Sequence, residues 1–239
     1  LMAWPSPEGL LERLEADRMI VSDGAGAWNI TSLGGILFAK DLDSFRPLAR
    51  KAVRVIVYEG KNRLRTIREQ TVKKGYAAGF TGLIEFINTL VPRNEVIGQA
   101  LRREVPMYPE LAIREIVANA IIHQDFSVTG AGPMIEIFAD RMEVTNPGIP
   151  LINTERFLDS PPRSRNEGLA SFMRRINVCE ERGSGVDKVV ALTEYFQLPA
   201  PLFEAPVDST RIVLFAHRSL SEMDRADRTR ACYLHACLR

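Results

Sequence analysis

The sequence predicts an α/β protein, and three observations carry that prediction. Val53, Val55 and Val57 alternate with other residues across 52–58, the mark of a strand. Two short strand patterns, 134–138 and 142–145, follow close on one another. Between these stretches the apolar residues recur at helical spacing, most clearly over 112–123. Composition agrees: 46% hydrophobic and 26% charged residues are those of a folded globular chain. Its 239 residues suffice for one large domain or two small ones.

The charge balance of +1 calls for no nucleic acid, membrane or acidic partner. The longest apolar runs, 33–39 and 53–58, fall far short of the roughly 18 residues of a membrane span, and no signal peptide is present. Cys179, Cys232 and Cys237 are odd in number and lack Cys-x-x-Cys spacing, which suits a reducing cytoplasm. The chain begins at Leu1 and stops inside a helical pattern, so it reads as a piece of a longer cytoplasmic protein.

Taken in order, Leu10, Leu11 and Leu14 among Glu and Arg predict a short amphipathic helix over 7–18. Asp23-Gly24-Ala25-Gly26 is a turn, and Thr31 or Ser32 can cap a small helix through residue 39. The strand at 52–58 reads as largely buried on both faces. A helix over 80–90 ends before Pro92. Residues 1–105 thus form a smaller mixed α/β lobe without a motif of chemistry.

From Tyr108 the character changes. Pro109 suits the first turn of a long helix reaching His123. Residues 128–132 are a loop, and Ala139-Asp140-Arg141 turns between the two short strands. Residues 147–166, rich in Pro, Ser and Arg, form a long loop of the kind that is usually functional or mobile. Helices follow at 168–176 and 186–196, separated by Gly183-Ser184-Gly185, and a strand closes at 211–215.

The helix over 112–123 carries the first sign of chemistry. With Glu115 at 0°, Asn119 falls at about 40° and His123 at about 80°. Ile116, Val117, Ala120 and Ile121 fall between about 100° and 240°. A carboxylate, an amide and an imidazole therefore share a polar stripe opposite an apolar face. Ile122, at about 340°, breaks the pattern.

The segment Tyr108-Pro109, then Arg114-Glu115-Ile116-Val117-Ala118-Asn119-Ala120-Ile121-Ile122-His123-Gln124-Asp125, resembles the N-box of GHKL (Bergerat) nucleotide-binding domains. More narrowly it resembles the branch found in transcriptional regulators that also carry AlbA-like (Schlafen-type) and winged-helix domains. Further segments match that branch in order: Asp140 to Gly148, Arg165-Asn166, and Glu181-Arg182-Gly183-Ser184-Gly185-Val186. Residues 30–40 and 58–60 match more loosely. Each motif alone is weak; four in order are specific.

The resemblance implies a fold and a set of roles. The fold is a GHKL-type two-layer α/β sandwich, a mixed sheet with helices over one face, spanning residues 106–217 behind the 1–105 lobe. Residues 218–239 would begin a truncated winged-helix domain, leaving their helix disordered or packed on a neighbouring molecule. Asn119 would ligate the Mg²⁺ that bridges the phosphates of ATP, as a hard neutral oxygen donor can. Glu115 stands where hydrolytic relatives place the general base that activates water. A solvated helix face would also place these two residues so.

His123 and Asp125 either contact phosphate or metal, or pair with each other to stiffen the helix end. Gly183, Ser184 and Gly185 precede a helix whose free N–H groups suit a phosphate, although such a sequence is also a common loop and cap. Asn146-Pro147-Gly148 stands where most of the family has Asp-x-Gly-x-Gly, the box that reads adenine. No Asp is there, so Asn146 becomes the candidate base contact with Gly148 beside it, a strand-ending turn being the competing reading. Arg165 and Asn166 can close as a lid or be solvated loop residues.

Other classes fit poorly. Members of this branch often carry a RecG-related helicase label, but no Gly-x-x-x-x-Gly-Lys-[Ser/Thr] supports it here. No phospho-acceptor histidine box precedes the N-box. Cys232, His235 and Cys237 point about 0°, 300° and 140° around a helix and so diverge from a zinc site. The expected function is binding of Mg-ATP as a conformational switch in a transcriptional regulator, with DNA held by flanking domains and a homo-oligomer open. A slow ATPase and a degenerate scaffold for protein interaction stand as alternatives.

Overall fold

A computed structural model describes residues 6–97, 102–179 and 185–238. The chain begins with α1 (Pro7–Ala16), which Ser6 caps by accepting from the Gly9 N–H. A hairpin of β1 (Ile20–Ser22) and β2 (Trp28–Ile30) turns on Asp23, whose carboxylate accepts from the N–H groups of Ala25 and Ala27. Thr31 then caps α2 (Ser32–Phe38) through the Gly34 N–H. Two 3₁₀ turns, Leu42–Ser44 and Ala49–Lys51, lead into β3 (Val53–Tyr58) and β4 (Thr66–Val72). Next come α3 (Tyr76–Leu90), longer at its start than the sequence pattern predicts, and a hairpin of β5 (Arg93–Ile97) and β6 (Arg102–Pro106).

The second half opens with α4 (Glu110–His123), followed by β7 (Met134–Ile137) and β8 (Arg141–Pro147). A long loop containing a 3₁₀ turn at Thr154–Arg156 connects to α5 (Glu167–Arg175) and α6 (Gly185–Tyr195). The chain ends with β9 (Leu202–Glu204), β10 (Ser209–Phe215) and α7 (Arg225–Cys237).

Six strands form one mixed sheet in the order β4-β3-β7-β8-β10-β9. Among the described residues, β3 with β7 is the single parallel pair and the other neighbours are antiparallel. The architecture is the α/β sandwich that the sequence predicts. Two of its strands come from before residue 105 and four from after it.

The alternation of the strands sorts the two faces of the sheet. Val53, Val55, Ile135, Ile137, Met142, Val144, Ile212 and Leu214 share one face and join the core. Helix α4 lies in that core and buries Ile113, Ile116, Val117, Ile121 and Ile122. This resolves the position of Ile122: the helix meets β8, α3 and α6, so it is enclosed nearly all round rather than along one stripe. The opposite face is ionic. Glu136 and Glu143 are buried beneath Arg63, which bonds both carboxylates at 2.6 Å, while Arg141 lies 3.9 Å over the Phe138 ring.

The tail corrects an expectation. Residues 225–237 are neither disordered nor left to a neighbouring molecule; α7 docks on its own chain. Leu234 is buried, the Tyr233 hydroxyl donates to the Glu155 carbonyl at 2.7 Å, and Arg230 donates to the Ala200 carbonyl at 3.1 Å. His235 also pairs with Glu194 of α6. The apolar side of α7 thus finds partners within this chain, which keeps it ordered. All three cysteines are free thiols. Among the described residues no helix is long and apolar enough to cross a membrane.

Candidate functional site

The C-terminal half of α4 forms one wall of a cavity of about 580 Å³. Pro109 occupies the N-cap position with extended backbone, a step earlier than the first-turn place the sequence suggests, and Glu110 suits the positive end of the helix. At the other end the free carbonyls are satisfied by a side chain from afar. Asn166 donates through Nδ2 to the carbonyls of Ile122 and Gln124, each at 2.7 Å. Gln124, fully buried, donates to the Tyr76 hydroxyl at 2.8 Å, and that hydroxyl donates to the Lys51 carbonyl at 2.6 Å. Lys51 in turn reaches back to the carbonyls of Asp125 and Val128, and its burial holds its ammonium below the usual lysine range.

The polar stripe of α4 faces this cavity: Glu115, Asn119 and His123 all line it. Glu115 is only 4% exposed, whereas Asn119 and His123 are half-buried. Gly185, the first residue of α6, lies against that stripe. A Cβ there would stand 2.8 Å from Glu115 Oε2 and 3.5 Å from Asn119 Nδ2. Any larger residue at 185 would push the Glu115 carboxylate from its present place. Gly183 and Ser184, with the rest of that motif before Gly185, lie outside the described residues.

Beneath the cavity, Asn146 of β8 stands opposite Thr210 of β10 in register. Asn146 is buried at the cavity wall, with Nδ2 donating to the Pro147 carbonyl at 3.2 Å. Thr210 also lines the cavity and donates to the Gly148 carbonyl at 2.8 Å. The remaining wall is the 147–166 loop together with α5, contributing Leu151, Phe157, Arg163 and Arg165, then Glu167 and Arg174. That loop has structure of its own. Asn153 caps its 3₁₀ turn, and Phe157 packs edge-on against Phe203 at 5.6 Å.

Three predicted site residues stand just outside the lining. Asp125 pairs with Arg165 at 2.7 Å and accepts from the Ser127 hydroxyl and N–H, so it does not pair with His123. These bonds, those from Ser127 foremost, hold its carboxyl below the usual range. Gly148 adopts φ +97°, and a Cβ there would meet the Asp125 Cβ at 2.6 Å. Asn166 caps α4 as described. Together the three fix the end of α4 and the start of the loop.

Among the described residues the charge of the cavity lining leans positive: Arg163, Arg165 and Arg174 against Glu115 and Glu167. His123 is held below the usual imidazole range, chiefly by burial and further by the charge of Arg165, so it is neutral at neutral pH. Burial pushes the Cys179 thiol up to about 11, leaving it protonated. Arg163, Arg174, Cys179, Glu167 and Thr210 are lining residues that the sequence does not flag, because each is an isolated residue without motif spacing.

The fold and site define an α/β sandwich with a cavity between its central helix, its sheet and a loop, mostly apolar in its lining but edged by Arg163, Arg165 and Arg174. Residues 130–214 match a protein-family model described as "Putative ATP-dependent DNA helicase recG C-terminal". The matched stretch runs from just before β7 almost to the end of β10, and α4 with Glu115 and Asn119 precedes it. It supports an ATP-binding, ATPase-like domain at the level of the family. The fold is also similar to the crystal structure of the DIP2311 protein from Corynebacterium diphtheriae, with a TM-score of 0.69 and 22% identity over 88% of this chain. This chain spans 41% of that structure's length. No curated protein matches the sequence.

Proposed function

We propose that the cavity binds a Mg²⁺-complexed nucleoside triphosphate, ATP foremost, and that occupancy acts as a conformational switch in a larger regulatory protein. The observation that carries this reading is the contact of Gly185 with Glu115 and Asn119. It sets the N-terminus of an eleven-residue helix against an amide and a carboxylate at the wall of a positively leaning cavity. The family match adds weight for ATP.

In this reading Asn146 meets the base, with Thr210 and Gly148 shaping its end of the cavity, and Asn119, Gly183, Ser184 and Gly185 meet the phosphates. His123, Arg165, Asp125 and Asn166 fix or line the wall between. Among the described residues no group of three or more His, Cys, Asp and Glu is disposed to hold a metal. Mg²⁺ arriving with a polyphosphate needs few protein ligands, and the Asn119 amide oxygen meets that need. Bound there it would offset phosphate charge.

Slow hydrolysis is a second reading, favoured by Glu115 being at once buried and at the cavity wall. Its carboxylate would take a proton from water attacking the terminal phosphorus while the bond from that phosphorus to the bridging oxygen breaks and the diphosphate leaves. In this proposal DNA contacts belong to flanking domains, and the whole protein assembles as a homo-oligomer.

The test is a thermal-shift titration with Mg-ATP, Mg-ADP and Mg-GTP on the wild type and on Asn119→Ala. Ligand at about 100 times its Kd stabilises by about 2.7 kcal/mol. A rise with Mg-ATP that is lost in Asn119→Ala supports the reading. No shift with any nucleotide at millimolar concentration overturns it in favour of a scaffold that no longer binds nucleotide.

A further inference from the structure

We propose that Arg174 binds the terminal phosphates of the ligand, so that this cavity distinguishes a triphosphate from a diphosphate through α5. The inference rests on the nucleotide reading above and assigns it a residue that no motif marks.

Among the described residues three arginines line the cavity, and they differ in what already occupies them. Arg165 is committed: it pairs with Asp125 at 2.7 Å and also donates to the Ile149 carbonyl. Arg163 is an exposed loop residue. Arg174 is half-buried in the last turn of α5, lines the cavity, and meets no carboxylate or hydrogen-bond acceptor through its side chain among the described residues. Its neighbour Arg175 points elsewhere and pairs with Asp17. A guanidinium stays charged at any physiological pH, and withdrawing it partly from water without a partner costs free energy. A bound anion would offset that cost with charge-assisted hydrogen bonds.

Geometry places Arg174 at one particular end of the cavity. The Cys179 thiol lies 4.0 Å from the carbonyl of Ala170, one turn before Arg174 on α5. The charges of Arg174 and Glu115 both act on that thiol. Glu115 in turn touches Gly185, beside Asn119. Arg174, Glu115, Asn119 and the start of α6 therefore gather at one end. His123, Asn146 and Arg165 gather at the other, where Arg165 acts on His123 and contacts the Gly148 turn. A base held at Asn146 sends its phosphates toward Arg174, with the last of them nearest.

Binding of Mg-ATP, Mg-ADP and tripolyphosphate is measured by calorimetry on the wild type, Arg174→Gln and Arg174→Lys, with circular dichroism melts confirming that each variant folds. The expected result is that Arg174→Gln weakens Mg-ATP about tenfold or more while Mg-ADP changes less than about threefold, and that Arg174→Lys recovers part of the loss. Equal affinities of wild type and Arg174→Gln for Mg-ATP overturn the proposal, as does an equal loss for ATP and ADP. If no nucleotide binds the wild type but tripolyphosphate does, and Arg174→Gln abolishes it, the anion site stands and the nucleotide reading falls. If neither binds, both fall.

Discussion

Gly185 and Glu115 touch so closely that a methyl group on Gly185 would lie 2.8 Å from Glu115 Oε2. The obstructing atom is the far end of a side chain, so Gly185→Ala moves the carboxylate rather than the fold. The expected outcome is a melting transition within about 1 kcal/mol of the wild type, together with a clear loss of the Mg-ATP thermal response. An intact response in Gly185→Ala would show that the contact is only packing.

Gly148 makes the opposite case. Its φ of +97° is one that side chains rarely adopt, and the Cβ would strike the Asp125 Cβ, which cannot swing away. Gly148→Ala is expected to destabilise the fold by about 1–3 kcal/mol, read from urea unfolding. A melt like that of the wild type would remove the steric reasoning for both glycines.

The imidazole of His123 gives a pH dependence whose sign is fixed. The native state disfavours its protonated form, through burial first and Arg165 second. The unfolded chain takes up the proton first, so stability declines as pH falls through about 6.5 and levels off below the native value. Urea midpoints taken between about pH 8 and about pH 5 should show this decline in the wild type and a weaker one in His123→Gln. Parallel profiles in the two proteins would contradict the assignment.

Leu234 is the main buried contact of α7. Leu234→Ala removes burial of a kind typically worth about 2–5 kcal/mol, which α7 cannot replace from its exposed hydrogen bonds. Limited proteolysis should then cut first within residues 218–238, where the wild type resists. Equal resistance would mean that the bonds from Tyr233, Arg230 and His235 suffice.

Much of this was legible in the sequence because periodicity reports on burial. Val53, Val55 and Val57 point to one face of β3, and the wheel of α4 places Glu115, Asn119 and His123 together at the cavity. What was not legible has physical reasons too. Strand β4 is a largely exposed edge, and Thr-Ile-Arg-Glu-Gln-Thr-Val has no apolar alternation to betray it. The partners of α7 are carbonyls and a glutamate scattered at 155, 194 and 200, which no local pattern predicts. Ile122 departs from the wheel because α4 is covered on several sides. Arg174 is invisible as a motif, since what marks it is its place on the cavity wall with no carboxylate bonded to it among the described residues, a fact of three dimensions.

The parallel pairing of β3 with β7 joins Arg54 to Met134, eighty positions apart in the chain. Long-range pairing of this sort must wait until β7 has been made, and it slows folding through the entropy of closing so large a loop. Until it docks on β3, β7 keeps a row of unpaired backbone groups along a strand rich in isoleucine, an open template for other chains. A polypeptide begun at residue 106 would carry that edge permanently. It would be made in full and lost to aggregates, whatever the quality of the cavity behind it.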